Sequence, residues 1–107
     1  MTDFNDRKRG EEAKFAMDEE TAFKLAARRN RLIGEWAAGL MGLTEEETDA
    51  YKKAVVQADF EEAGDEDVIR KLLGDLTAAD CDVSEADIRA KLEEKTIEAR
   101  RQMMAGH

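Results

Sequence analysis

The sequence contains no proline, one cysteine and one histidine. A single cysteine cannot form a disulfide within the chain, and its use favours a reducing compartment. Cys81 and His107 cannot form a metal site by themselves, and a nucleophilic cysteine would need a base held beside it. The sequence therefore predicts neither an enzyme nor a bound metal or cofactor.

Long apolar runs are also missing, so no segment is predicted to insert into a membrane. Charged residues near the N-terminus, with no apolar stretch after them, argue against a signal peptide. The 26 acidic and 17 basic side chains give a net charge of −9, which disfavours binding to nucleic acid or to an anionic membrane surface. We expect a cytoplasmic protein that is a monomer when free.

Strong helix formers dominate the composition, chiefly alanine, glutamate, lysine, arginine, leucine and methionine. They predict an all-α protein, and 107 residues suit one domain. The charge is uneven: residues 1–31 contain eight basic and seven acidic side chains, whereas residues 32–107 contain nine and nineteen. Because residues 1–18 have few large apolar side chains, we interpret them as a flexible arm and residues 19–107 as a four-helix domain.

Apolar residues at three- and four-residue steps predict the first helix from about Glu19 to Met41. Gly42 is expected to end it in the left-handed conformation. Trp36 is expected in the core, and Gly34, Gly39 and Gly42 are interpreted as permitting close helix packing. The predicted buried face comprises Ala22, Leu25, Ala26, Arg29, Leu32, Ile33, Trp36, Ala37 and Leu40.

Three further helices follow. Thr44 with Glu47 is predicted to form a capping box before the second helix. Ser84, with Asp87 three residues on, is predicted to start the fourth. Asp65 is predicted to cap the third helix. Short connections favour a four-helix bundle. The predicted apolar face of the second helix comprises Tyr51, Ala54, Val55 and Ala58, with Phe60 at the helix end. That of the third helix comprises Val68, Ile69, Leu72, Leu73 and Leu76. That of the fourth helix comprises Ile88, Leu92, Thr96, Ala99 and Met103.

Two stretches of the sequence are candidate binding sites. The segment 80–84 resembles the start of a calcium loop, but Glu85 and Lys91 stand where that loop needs glycine and glutamate. A concentrated basic patch either balances the acidic body or binds a phosphate group. The second interpretation makes the chain a small module that binds ATP or ADP weakly, and a third alternative is an acidic adaptor for another protein. The patch comprises Lys24, Arg28, Arg29 and Arg31.

Three segments carry a resemblance to a known family. They are FNDRKRGEEAKFAMDEE at 4–20, RRNRLIGEWAAGLMG at 28–42, and residues 55–76. The chain resembles the zeta subunit family, small inhibitors of the alphaproteobacterial F-type ATP synthase. The resemblance implies a four-helix fold whose N-terminal arm enters a catalytic interface of the soluble head as a helix. The arm would block ATP hydrolysis by stopping rotation, and the protein would lie at the inner membrane through the synthase.

Carried over by position, the inhibitory stretch covers about residues 1–19. The sequence departs from the family pattern where Gly10 and Glu11 replace a small helix former and an aromatic residue, and where Met17 replaces a usual histidine. The first departure weakens the helix and its apolar face, so this arm is expected to inhibit poorly or to inhibit only its own synthase. The positions that the resemblance implies in partner binding are Phe4, Asp6, Arg7, Glu12, Lys14 and Phe15.

Overall fold

The computed structural model describes residues 19–59 and 65–105. In these two ranges the chain forms four α-helices and no strand, which confirms the predicted all-α four-helix bundle. The predicted arm, Phe60 and His107 lie outside the described residues. The helices are α1 (Glu19–Met41), α2 (Glu45–Ala58), α3 (Glu66–Ala78) and α4 (Glu85–Met104).

Side chains cap two of the helices as predicted. The Thr44 hydroxyl accepts from the Glu47 backbone N–H at 3.1 Å, and the Glu47 carboxylate accepts from the Thr44 N–H at 2.9 Å. Ser84 and Asp87 make the same reciprocal pair at 3.1 and 3.0 Å. Asp65 does precede α3, but its side chain makes no capping hydrogen bond. That part of the prediction is wrong, because the carboxylate is instead held in an ion pair described below.

Helix α1 contacts all three other helices, and its contacts with α2 and α4 are the most extensive in the described bundle. Helices α1 and α4 run antiparallel. The Arg28 guanidinium donates to Gln102 Oε1 at 3.0 Å, and the Lys91 ammonium lies 5.6 Å from the centre of the Trp36 ring. The start of α1 and the end of α4 therefore lie at the same end of the bundle.

All four helices contribute to one apolar core. Burying aliphatic side chains of this size contributes about 1.5–3 kcal/mol each. Trp36, Tyr51 and Leu73 are partly buried and pack against this core, so the ring of Trp36 lies at its margin. The core comprises Ile33, Ala37, Val55, Val68, Ile69, Leu72, Leu76, Ile88 and Leu92.

The buried face of α1 differs from the predicted one. Ala22 and Leu40, both expected inside, are exposed, and Leu40 retains 47% of its accessible surface. Asn30 and Ala38 are buried instead. The reason is that α1 packs against α2 and α4 on different sides, so its contact surface is wider than a single stripe and includes small and polar residues.

The glycines of α1 have different roles. A Cβ at Gly34 would lie 3.2 Å from Lys52 Cα, so the absence of a side chain permits the close approach of α2. Gly39 and Gly42 face open space, and the expectation that they permit close packing is wrong. Gly42 has a φ of +72°, which confirms the predicted left-handed end of the helix.

Candidate functional site

The basic patch predicted from the sequence lies on the first half of α1. Helical spacing puts Lys24, Arg28 and Arg31 on one face of the helix. Lys24 Nζ lies 3.3 Å from Glu20 Oε2, and both side chains are exposed. Arg28 donates to Gln102 on α4, and Arg31 is exposed. The structure therefore brings three of the four predicted side chains together.

Arg29, the fourth member, points inward and is only 9% exposed. Its Nη1 lies 3.0 Å from Asp65 Oδ1 and its Nη2 lies 3.7 Å from Asp59 Oδ2. Its Nε donates to Asn30 Oδ1 at 3.1 Å. Arg29 thus joins α1 to the residue that follows α2 and to the residue that precedes α3. Its predicted role toward a nucleotide stays a prediction, and its charge is already balanced by two carboxylates.

Two buried polar side chains were missed by the sequence reasoning. Asn30 is 1% exposed, and its Nδ2 has no hydrogen-bond partner. Asp67 is 8% exposed; its Oδ1 accepts from Arg70 at 2.8 Å, while its Oδ2 has no partner. A buried polar atom without a hydrogen-bond partner lowers the free energy of unfolding. The burial of Asn30 could have been predicted from its spacing, because Asn30 precedes the buried residues Ile33 and Gly34 by three and four positions.

A second polar contact joins α2 to α3. The Tyr51 hydroxyl donates to Asp75 Oδ2 at 2.7 Å, and the Lys71 ammonium lies 3.1 Å from the same oxygen. Lys71 also lies 5.1 Å from the centre of the Tyr51 ring. Burial, and then the neighbouring carboxylate, raise the pKa of Tyr51 well above its ordinary value. This phenol therefore stays protonated and serves as a donor between helices.

A third polar contact joins α3 to α4 on the surface. Arg89 reaches Glu66 at 2.9 Å and Glu85 at 2.8 Å. The hydrogen bonds from Arg89 lower the pKa of the Glu66 carboxyl, and those from Ser84 lower the pKa of Asp87. Both carboxylates are exposed to solvent, so these contacts orient the helix ends and contribute little stability.

The ionisable side chains in these three contacts mainly connect helices. Among residues 19–59 and 65–105, no three histidine, cysteine, aspartate or glutamate residues are grouped so that they could hold a metal ion. In the same ranges no helix has the length and apolar character needed to cross a membrane. The fold and these contacts define a small four-helix protein in which polar side chains join the helices.

Comparison with known proteins gives the family. Residues 1–102 match the family described as ATPase inhibitor subunit zeta. The chain belongs to this family, which confirms the resemblance seen in the sequence. A protein whose structure was determined by solution NMR is 48% identical, with a TM-score of 0.70 over 79% of this chain and 96% of that chain. A search among curated proteins gives no match.

Membership of this family gives the chain an inhibitory and regulatory role toward an ATPase. The six arm positions implied in partner binding lie outside the described residues, so their roles stay predictions. The structure adds to the sequence interpretation the two contacts by which Arg29 and Tyr51 hold the bundle together.

Proposed function

We propose that this protein inhibits ATP hydrolysis by the F-type ATP synthase. Residues 1–18 would insert into a catalytic interface of the soluble head and block rotation, at the cytoplasmic side of the inner membrane. One observation carries the proposal. The family match begins at residue 1, whereas the buried positions of the described helices begin at Arg29. The shared sequence thus includes an N-terminal stretch that precedes every residue of the described core.

The arm has side chains suited to a cleft lined by protein. Phe4 and Phe15 are eleven residues apart, about three helical turns, so a helix would put both rings on nearly one side. In such a helix Lys8 and Glu11 would interrupt this side, and Arg7 and Lys14 would lie next to it. Gly10 would weaken the helix by about 1 kcal/mol, and ordering a free segment on binding also lowers affinity. Inhibition should therefore be reversible and weaker than with a better helix former at position 10.

The bundle and the arm would have separate tasks. A single helix is about 10–12 Å across, whereas four packed helices are far wider, so a cleft that admits the arm excludes the bundle. Helix α1 begins at Glu19, directly after the arm. The bundle would therefore remain at the mouth of the cleft and block movement by its bulk.

The test is ATP hydrolysis by the cognate synthase with three proteins added in turn: the full chain, a chain lacking residues 1–18, and a chain in which residues 1–18 are replaced by glycine and serine at equal length. We expect inhibition only by the full chain, with the helical circular dichroism of all three retained. The glycine and serine replacement keeps the length of the arm but removes its side chains. It therefore shows whether inhibition needs those side chains or only a segment of that length. Equal inhibition by the truncated chain would refute the arm mechanism.

The shared face of Lys24, Arg28 and Arg31 favours a second function, weak binding of ATP or ADP through the phosphates. Titration with either nucleotide, followed by the amide resonances of these residues, tests it directly. Shifts confined to these residues would support the site. Shifts of similar size over the whole chain, or none at millimolar nucleotide, would count against it.

A further inference from the structure

Large apolar side chains are concentrated at one end of the bundle. The described part of the chain exposes four of them, and three lie on the first turns of α1 or the last turns of α4. Phe23 is 51% exposed, Ile97 50% and Met104 66%. Because α1 and α4 run antiparallel, Phe23 and Met104 belong to the same end of the molecule, and Ile97 lies about two turns before that end of α4.

The same end is positively charged, in contrast to the rest of the protein. Residues 19–31 and 97–105 together contain six basic and three acidic side chains, whereas the whole chain has a net charge of −9. Arg29 is balanced internally, but Arg100 and Arg101 are exposed and make no ion pair with another described residue. A groove of about 470 Å³ lies among Ile97, Arg100, Arg101, Met104 and Ala105.

We propose that this surface is a second contact with the ATP synthase, made in addition to the arm. We call it the basic end and define it by Phe23, Arg28, Ile97, Arg100, Arg101 and Met104. Its occupant is an acidic surface with apolar side chains on the soluble head, beside the cleft that takes the arm. The proposal rests on the function proposed above.

Two observations favour this occupant. Helix α1 begins directly after the arm, so the end of the bundle that contains its first turns is the one brought to the mouth of the cleft. The charge of this end is opposite to that of the rest of the chain, so it attracts an acidic surface while the remaining acidic surface is repelled. A second contact beside the cleft keeps the arm close to its binding site. It therefore raises the effective concentration of the arm there and slows dissociation of the arm.

The experiment compares two charge reversals in the full chain. Arg101→Glu alters the basic end, and Lys53→Glu is the matched control, because Lys53 is an exposed cation on α2 and its reversal changes the net charge equally. We expect Arg101→Glu to raise the concentration for half-inhibition of ATP hydrolysis by about tenfold. Lys53→Glu should change it by less than about twofold, and the difference should shrink in high salt. Circular dichroism verifies that both variants fold.

Equal effects of the two reversals would overturn the second contact. If the two reversals act equally while the full chain inhibits and the chain lacking residues 1–18 does not, the basic end alone is refuted and the arm mechanism stands. If the full chain does not inhibit at all, the proposed function itself fails. Sedimentation of the free protein tests a competing occupant: a dimer that Arg101→Glu converts to monomer would show a contact between copies and also overturn the proposal.

Discussion

Replacing Arg29 with methionine would test whether the internal ion pairs hold the bundle together. Methionine keeps an unbranched side chain of similar reach but removes the guanidinium that Asp59, Asp65 and Asn30 share. The side chains of Arg29 and Asp59 are 11% and 17% exposed, whereas that of Asp65 is 46% exposed. Two acceptors would therefore lose their donor with little water to replace it, and Asp65 would be solvated.

The expected loss lies between two known limits. Removing one partner of a fully buried pair costs about 3–5 kcal/mol, and an exposed pair contributes about 0.2–1 kcal/mol. Because one carboxylate is mostly buried and the other is half-exposed, we expect about 2 kcal/mol. For a domain of this length, that loss lowers the midpoint of thermal unfolding by about 10 °C.

Urea unfolding at pH 7, followed by circular dichroism, measures this loss, provided that the denaturant slope stays unchanged. Arg31→Met is the control, since Arg31 is exposed on the same helix and should lose less than about 0.5 kcal/mol. Asp59→Asn should cost less in the Arg29→Met background than alone, because the two residues interact. Equal stability of the two arginine variants would refute the argument.

Three smaller predictions concern the helix contacts and one cap. Gly34→Ala should lower the midpoint of thermal unfolding, because the new methyl group meets the backbone of α2. Gly74→Ala adds a methyl group in open space and should stabilise the protein by about 0.5–1 kcal/mol. A shift of the midpoint in the same direction for both variants would contradict the packing. The raised pKa of Tyr51 means that only the unfolded state loses the phenol proton above about pH 10, so stability to urea should fall there and fall less in Tyr51→Phe. Ser84→Ala should cost about 1 kcal/mol in the same assay, and an unchanged value would argue against the cap.

The helix boundaries could be predicted because local residues determine them. Thr44 and Ser84 cap their own helices, and Gly42 adopts the left-handed conformation at the end of α1. The buried face of α1 could not be predicted fully. A search for large apolar residues favours Leu40 over Ala38, yet Ala38 is buried, because α1 packs against two helices on different sides.

The candidate site was predicted only in part, and for a similar reason. The patch on α1 was visible because its residues are close in sequence. The contribution of Arg100 and Arg101 to the basic end could not be predicted from the sequence. It depends on the antiparallel pairing of α1 with a helix some seventy residues later. The inward position of Arg29 was also hidden, because its acceptors belong to the ends of two other helices.

The extensive contacts of α1 have a mechanical consequence. If the arm is held in a turning synthase, the load reaches the bundle as a pull on the first turn of α1. Since α1 contacts all three other helices, most extensively two of them, a pull along its axis acts in shear, and many side-chain contacts must slide at once before the helix moves. A helix at the edge of a fold would instead peel away one turn at a time. Under the proposed arm mechanism, these contacts would help the bundle to stay folded when tension is applied through the arm.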